Sequence, residues 1–395
     1  MENNSVRILN IRHGAKRFLY EEYPPPLPPN TRTHPVPPKI RWPPPPDPGT
    51  LPLVEQLTIL DLKQQAGDAP LAACLDAQLQ TRVEKTTKKG DPYLELTFAD
   101  ATASFTLKAW SNHRQLEVAG TLPLGSPVRL EGKWTQNQYG IDASGWSFRP
   151  LNEGEQAAFL SGDPETRKRQ DKDWADLLNM LADIRDPRLK GLCDLFVAQF
   201  EDRFRRAAAA KKNHHARRGG LVEHVAQMMR SATAICSVYT NLNRDLIVTG
   251  VLFHDCGKLW ENNYPENGFA QNVSLYGEML GHIPLGIELA NKLWHDLLDS
   301  PAAKGWLSLE PANESVRLHL LHLIASHHGE LAFGSPTLPR TPEAFALHYI
   351  DNLDAKYEML RMAYESAGEL APGIYERQFP LPAPLVQPLP PFSTE

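Results

Sequence analysis

A chain of 395 residues, 42% hydrophobic and 22% charged, is long enough for two or three hydrophobic cores, which excludes a single small module. No window approaches about eighteen consecutive apolar residues and no apolar block of about seven or more precedes the first prolines, so a cytoplasmic protein is expected. A net charge of −6 exerts no global pull on nucleic acid, so any such partner needs a local basic surface. Cys74, Cys193, Cys236 and Cys256 are far apart with no CxxC pair, and read as reduced core fillers.

In chain order, residues 1–50 form a proline-rich leader, with thirteen of the 35 prolines between 24 and 48. So many missing amide donors and fixed φ angles exclude a helix or a central strand. A solvated spacer is expected there, with a ligand for an SH3 or WW module as the alternative. Residues 51–155 change to short alternating runs, "YLELTFAD", "ASFTLKAW", "SPVRLEGKW" and "YGIDASGWSF", separated by Gly, Asp and Asn turns. This pattern predicts an all-β barrel of roughly five strands, most economically an oligonucleotide-binding (OB) fold. Tyr93, Trp110, Trp134, Tyr139 and Trp146 recur through it, at least half of them expected in the core. The others, Trp110 first, with Lys88 and Lys89 of "EKTTKKG", are candidates for a platform on which single-stranded nucleic acid stacks.

A polar hinge is expected at 161–173, within a connection spanning 156–200, and an all-α domain at 201–371, where apolar residues recur three and four apart. Residues 372–395 return to proline and read as a strap or tail. The predicted fold class is therefore a multidomain α+β protein, an N-terminal barrel followed by an all-α domain. Within the helices stand His224 in "GGLVEH", His254 and Asp255 in "FHDCGK", His282 in "GHIPLG", His327 and His328 in "SHHGE", and Asp351 in "HYIDNLDAK".

Each histidine alone reads as a structural residue, as do His295, His319, His322 and His348. Together they do not, because imidazoles and carboxylates among Leu, Val and Ile lose hydration unless something binds them. Nitrogen and carboxylate donors without thiolate suit first-row divalent cations. Seven donors exceed one tetrahedral ion and suit two, with Asp255 as the natural bridge alongside a water. Lys258, three positions on, is a candidate contact to a phosphate oxygen, on the same helical face if the helix continues. Asp354, one turn beyond Asp351, reads as a supporting or capping group.

The order H, HD, H, HH, D resembles the HD phosphohydrolase superfamily. The longer strings "KNHHARRGGLVEH", "FHDCGK", "GHIPLGIE", "SHHGELAFGSP" and "HYIDNLDAK" resemble its YhaM-type 3′-to-5′ exoribonuclease branch, which also joins an OB fold to an HD domain. The resemblance covers roughly residues 52–371. It implies that His224, His254, Asp255 and Asp351 hold one metal and that Asp255, His282, His327 and His328 hold the other. Manganese is the first expectation, with cobalt, iron, nickel or magnesium as alternatives. Two departures are visible: Cys256 stands where a branched aliphatic is commoner, and the proline-rich leader lies outside the family pattern.

The missing basic surface is "RFRRAAAAKKNHHARR", residues 203–218, with seven Lys or Arg and no acid, running into the first ligand helix. Lys211, Lys212, His215, Arg217 and Arg218 are its candidate phosphate contacts. The expected substrate is single-stranded RNA, with single-stranded DNA as an alternative. Attack by a hydroxide bridging two metals would release nucleoside 5′-monophosphates, the 3′-to-5′ polarity and RNA preference coming from the resemblance alone. Competing readings are hydrolysis of small nucleotides at the same site, and a non-catalytic RNA-binding protein with a relic HD domain.

Overall fold

The computed structural model describes residues 55–390 except 138, 139, 212, 213, 267, 270 and 272, and without the side chains of 161, 302 and 366. The expected leader, Tyr139 and Lys212 lie outside the described residues. Strand β1 (Glu55–Leu57) leads into α1 (Ile59–Gln65) through a capping box, in which the Thr58 hydroxyl accepts from the Asp61 amide and the Asp61 carboxylate accepts from the Thr58 amide. The barrel strands are β2 (Leu71–Thr86), β3 (Pro92–Ala99), β4 (Ser104–Trp110), β5 (Pro127–Asn137) and β6 (Gly140–Pro150), with α2 (Leu116–Thr121) between β4 and β5.

The strand order is β4-β3-β2-β5-β6, antiparallel throughout, with β1 added parallel to β2 and with β4 and β6 meeting at the closing seam. This is the OB topology. The long β2 serves both halves, pairing with β5 from Leu71 to Gln78 and with β3 from Gln78 to Thr86. The alternation seen in the sequence is real. In β4, Phe105, Leu107 and Ala109 are buried while the residues between them face out. Of the aromatics singled out, Trp134 and Trp146 are core, Tyr93 is half-buried and Trp110 is 45% exposed.

A register shift in β2 between Leu79 and Thr81 leaves Gln80 as the extra residue of a bulge, which re-aims its side chain. Gln80 Nε2 donates to the Phe269 carbonyl at 3.4 Å, and Gln78 Oε1 accepts from the Phe269 amide at 3.0 Å. The bulge thus fastens the barrel to the helices, where Phe269 also packs edge-on against Phe159.

The helices are α3 (Glu153–Ser161), α4 (Pro164–Ala182), α5 (Pro187–Phe204), α6 (Gly220–Val238), α7 (Arg244–Phe253), α8 (Lys258–Glu261), α9 (Leu275–Leu280), α10 (His282–Leu298), α11 (Asn313–Ser326) and α12 (Pro342–Ser366). The polar stretch 161–173 is not a hinge. Asp163 caps α4, accepting from the Thr166 amide at 2.8 Å with Pro164 in the first turn, and the helix runs on until Trp174, Leu177 and Leu181 reach the core. Its charged first half concealed it. The expected connection likewise contributes Trp174, Leu177, Leu189, Leu192 and Phe196 to the same core as α6, α7 and α11.

At the C-terminal end, β7 (Glu369–Ala371), β8 (Ile374–Tyr375) and β9 (Leu385–Val386) form a small antiparallel sheet, and Leu381 and Leu385 are buried near Ala363 of α12. Among the described residues, no helix is long and apolar enough to cross a membrane. Helix α12 is capped by Thr341, whose hydroxyl accepts from the Ala344 amide at 3.2 Å. Thr341→Ala is expected to cost about 1 kcal/mol of stability, read as an earlier urea midpoint.

Candidate metal centre

Every residue of α7 from Leu246 to Phe253 is buried, as befits a helix apolar on all sides. A Cβ at Gly250 would run into the Leu323 side chain, so α11 rests directly on α7. The helix ends at Phe253 rather than continuing through Lys258. A turn carries Asp255, and Lys258 opens α8, from which its Nζ reaches Asp255 Oδ2 at 2.6 Å. Gly257 lies in that turn, and a Cβ there would collide with the His282 carbonyl and the Gly286 amide. Only glycine lets the start of α10 come this close.

The six other residues expected as donors gather around Asp255, four of them directly and two through neighbouring histidines. His224 Nε2 and His254 Nε2 lie 3.6 and 3.1 Å from its Oδ2, while His282 Nε2 and His327 Nε2 lie 3.6 and 3.7 Å from its Oδ1. Asp351 Oδ1 is 3.3 Å from His224 Nε2, and the His328 ring centre is 4.3 Å from that of His327 and 5.1 Å from that of His282.

Each imidazole is held from behind through Nδ1. His254 and His327 use the carbonyls of Val251 and Ile324, both at 2.8 Å, and His328 uses that of Phe333 at 2.7 Å. His282 and His224 use the carboxylates of Glu261 and Asp354, each at 2.7 Å. The second nitrogen of every ring is thereby turned inward.

The Nε2 atoms of His224, His254, His282 and His327 and Oδ1 of Asp255 are buried with no hydrogen-bond partner. Left so, each costs roughly 1–3 kcal/mol. Such a set fits a divalent cation, and thiolate takes no part because the Cys256 thiol donates to the Gly286 carbonyl at 3.6 Å. Two compact donor groups fit single ions, His224 with His254 and Asp255, and His282 with His327 and His328. A third grouping, His215 with His224 and Asp354, instead joins its members by hydrogen bonds, with Asp354 Oδ2 2.7 Å from His224 Nδ1 and 3.1 Å from His215 Nε2.

Charge organises the centre too. Burial alone would raise the Asp255 pKa, but His254 and Lys258 hold it well below the usual carboxylate range. Burial, with His254 and His328 beside it, pushes His327 far down, so it is neutral. Burial opposes a charge on His224 as well, yet Asp351 and Asp354 outweigh it and raise the pKa to about 9.

His214 was not singled out from the sequence. Its ring centre lies 6.0 Å from that of His224, its Nδ1 is buried without a partner, and burial with Lys258 and His224 nearby lowers its pKa to about 4. The doublet in "KNHHARR" was the only signal. His215 has a left-handed backbone, φ +43°, which sends the two rings to different neighbours.

Several candidate phosphate contacts need correction. His215 is buried between Asp354 and Glu223. Arg217 pairs with Glu223 and Glu358, and Arg218 donates to the carbonyls of Pro265, Glu266 and Gly268. Their charges required partners, of which Glu223 is near in sequence while Asp354, Glu358 and the carbonyls of Pro265, Glu266 and Gly268 are distant. Lys211 remains exposed, paired with Glu278 at 2.5 Å. On the barrel, Lys88 and Lys89 are exposed in the β2–β3 turn. Trp110 stacks against Tyr93 with ring centres 4.8 Å apart, and Lys108 Nζ lies 5.7 Å from the Trp110 ring.

An OB barrel fastened to a helical domain with a histidine and aspartate centre defines the class, an HD-domain protein, and the model described as the HD domain matches residues 221–356. The 3'-5' exoribonuclease YhaM of Geobacillus sp. (strain WCH70) is 31% identical over 290 residues, covering 72% of this chain and 83% of that protein. That of Bacillus subtilis (strain 168) is 31% identical over 308 residues, covering 77% and 90%. The chain belongs to the YhaM 3'-5' exoribonuclease family. The second OB-fold domain of replication protein A from Methanococcus maripaludis is 16% identical over 25% of this chain and 96% of that chain, at a TM-score of 0.19. That score is too low to rest on, and the barrel is defined by its own strand order.

Proposed function

We propose that the protein hydrolyses single-stranded RNA from the 3′ end to nucleoside 5′-monophosphates in a metal-dependent reaction. The observation that carries this reading is the ring of buried, unpartnered imidazole nitrogens around Asp255, in a chain whose relatives are named for that polarity and substrate. His224, His254, Asp255 and Asp351 would hold one cation and Asp255, His282, His327 and His328 a second, with manganese the first choice for nitrogen and oxygen donors. When bound, such cations would supply Lewis-acid charge and lower the pKa of water so that a hydroxide nucleophile is available near neutral pH.

The chain's own side chains orient the rest. Lys258 Nζ, beside Asp255, is the cation placed to neutralise a non-bridging phosphate oxygen. Glu261 and Asp354 keep the His282 and His224 rings turned inward. Trp110 with Tyr93 gives bases a surface to stack on, and Lys88, Lys89 and Lys108 meet the phosphates.

RNA labelled at either end tests the reading. After dialysis against a chelator the protein should release nothing, and manganese should restore activity. With a 5′ label the strand should shorten as a ladder, and with a 3′ label a mononucleotide should appear at once. Shortening from the 5′ end, or hydrolysis confined to free nucleotides, would overturn it. DNA of the same sequence shows whether the 2′-hydroxyl matters.

A further inference from the structure

Away from the metal centre, a cavity of about 1520 Å³ opens between the barrel and the helices, lined by eight Lys or Arg side chains and three acids. The acids are already engaged: Asp171 pairs with Arg205, Glu365 pairs with Arg361 at 2.5 Å, and Asp163 caps α4. Among the described residues, Lys63, Arg167, Arg169 and Arg206 have no ion-pair partner. Arg206 is the sharpest case, because its Nε is buried with no hydrogen-bond partner at all. Its neighbour Arg218 meets only carbonyls, and burial followed by the Arg206 charge lowers the Arg218 pKa to about 10. Asp100 acts on Lys63 and Asp163 on Arg169 without forming an ion pair, so the cations outnumber their counter-charges, an excess that opposes folding and that a bound polyanion relieves.

The cavity has a direction. A second one, about 360 Å³, shares Ala101, Thr102, Arg217 and Phe269 with it and extends to Lys211 and to Glu261, the residue that holds His282 Nδ1. The two cavities therefore adjoin, and together they reach from the cations to Glu261 behind the metal centre. The cations are strung along α1, α4 and the segment after α5, an arrangement that suits a row of linked phosphates better than a single anion.

We infer that this cleft holds the phosphodiester backbone of the RNA strand upstream of its 3′ end. The inference rests on the exoribonuclease reading and extends it, because the strand would enter between the barrel and the helices. The path is set by Arg206, Arg169, Arg167 and Lys63 rather than by the buried Arg217 and Arg218.

The test uses the full chain carrying Asp255→Asn, so that bound RNA survives, with and without Arg169→Ala or Arg206→Gln. The probes are fluorescent single-stranded RNAs of about twelve and about four nucleotides, spanning the range over which such grooves bind. Each substitution should weaken binding of the longer strand about fivefold or more, with a smaller loss for the shorter one. It should also make the slope of log affinity against log salt shallower by about 0.7. Arg206→Gln should leave the melting temperature of free protein unchanged or raised. Arg169, exposed on α4, keeps the test valid if Arg206→Gln fails to fold.

An unchanged affinity and salt slope for both variants would overturn the inference. So would equal losses for both lengths, or displacement of the longer strand by adenosine monophosphate or inorganic phosphate at the strand's own concentration. Failure of the protein without Asp255→Asn to degrade RNA would instead overturn the exoribonuclease reading, since binding is scored separately.

Discussion

Asp255→Asn is expected to abolish nucleotide release, by a thousandfold or more, while single-stranded RNA still binds. Among the described residues Asp255 is the one carboxylate within 4 Å of four imidazole nitrogens, two on each oxygen, and an amide of the same shape offers a single weak acceptor oxygen in their place. Under the proposed metal-dependent reaction, losing a cation's charge stabilisation would raise the barrier by several kcal/mol, and each ~1.4 kcal/mol is tenfold in rate. Lys258 loses its carboxylate partner at the same time, so some loss of stability accompanies the change. Two measurements separate the effects. Manganese should raise the melting temperature of the unaltered protein and not that of the variant, and the variant should still bind RNA. A variant that keeps its manganese response, or releases nucleotides at the original rate, would refute the assignment of Asp255.

Asp354→Ala should weaken metal binding by about 10–100-fold without deleting a donor. The Asp354 carboxylate meets His224 Nδ1 at 2.7 Å and His215 Nε2 at 3.1 Å, so one side chain fixes the ring of a proposed ligand and ties the chain after α5 to α12. Without it His224 is free to rotate and to exchange its tautomer. Activity should fall at limiting manganese and recover substantially at saturation, unlike that of Asp255→Asn. An activity curve unchanged in its manganese dependence would show that His224 needs no such support.

The cluster could be read from the sequence because such residue types are rare among apolar helices, and His224, His254, Asp255, His282, His327, His328 and Asp351 stand out from those around them. The barrel was legible because period-two alternation is local, as in Phe105, Leu107 and Ala109. What failed to show was whatever depends on distant partners. Nothing in "RFRRAAAAKKNHHARR" distinguishes Arg217, neutralised by Glu223 and Glu358, from Arg206, which has no counter-charge among the described residues. The first half of α4 looked like a hinge because its apolar face begins only at Trp174. The supports behind the rings were equally hidden, since several are main-chain carbonyls, which carry no letter in a sequence.

The turn after Asp255 limits which substitutions this chain can accept. Because the position of a Cβ on Gly257 is taken by the His282 carbonyl, the spacing between the His254–Asp255 pair and His282 is set by two main chains in contact. Main-chain thickness does not change when neighbouring side chains are replaced. The surrounding core is thus free to drift in identity while the two halves of the centre keep their distance, provided one hydrogen atom, the glycine side chain, is never exchanged for a methyl group.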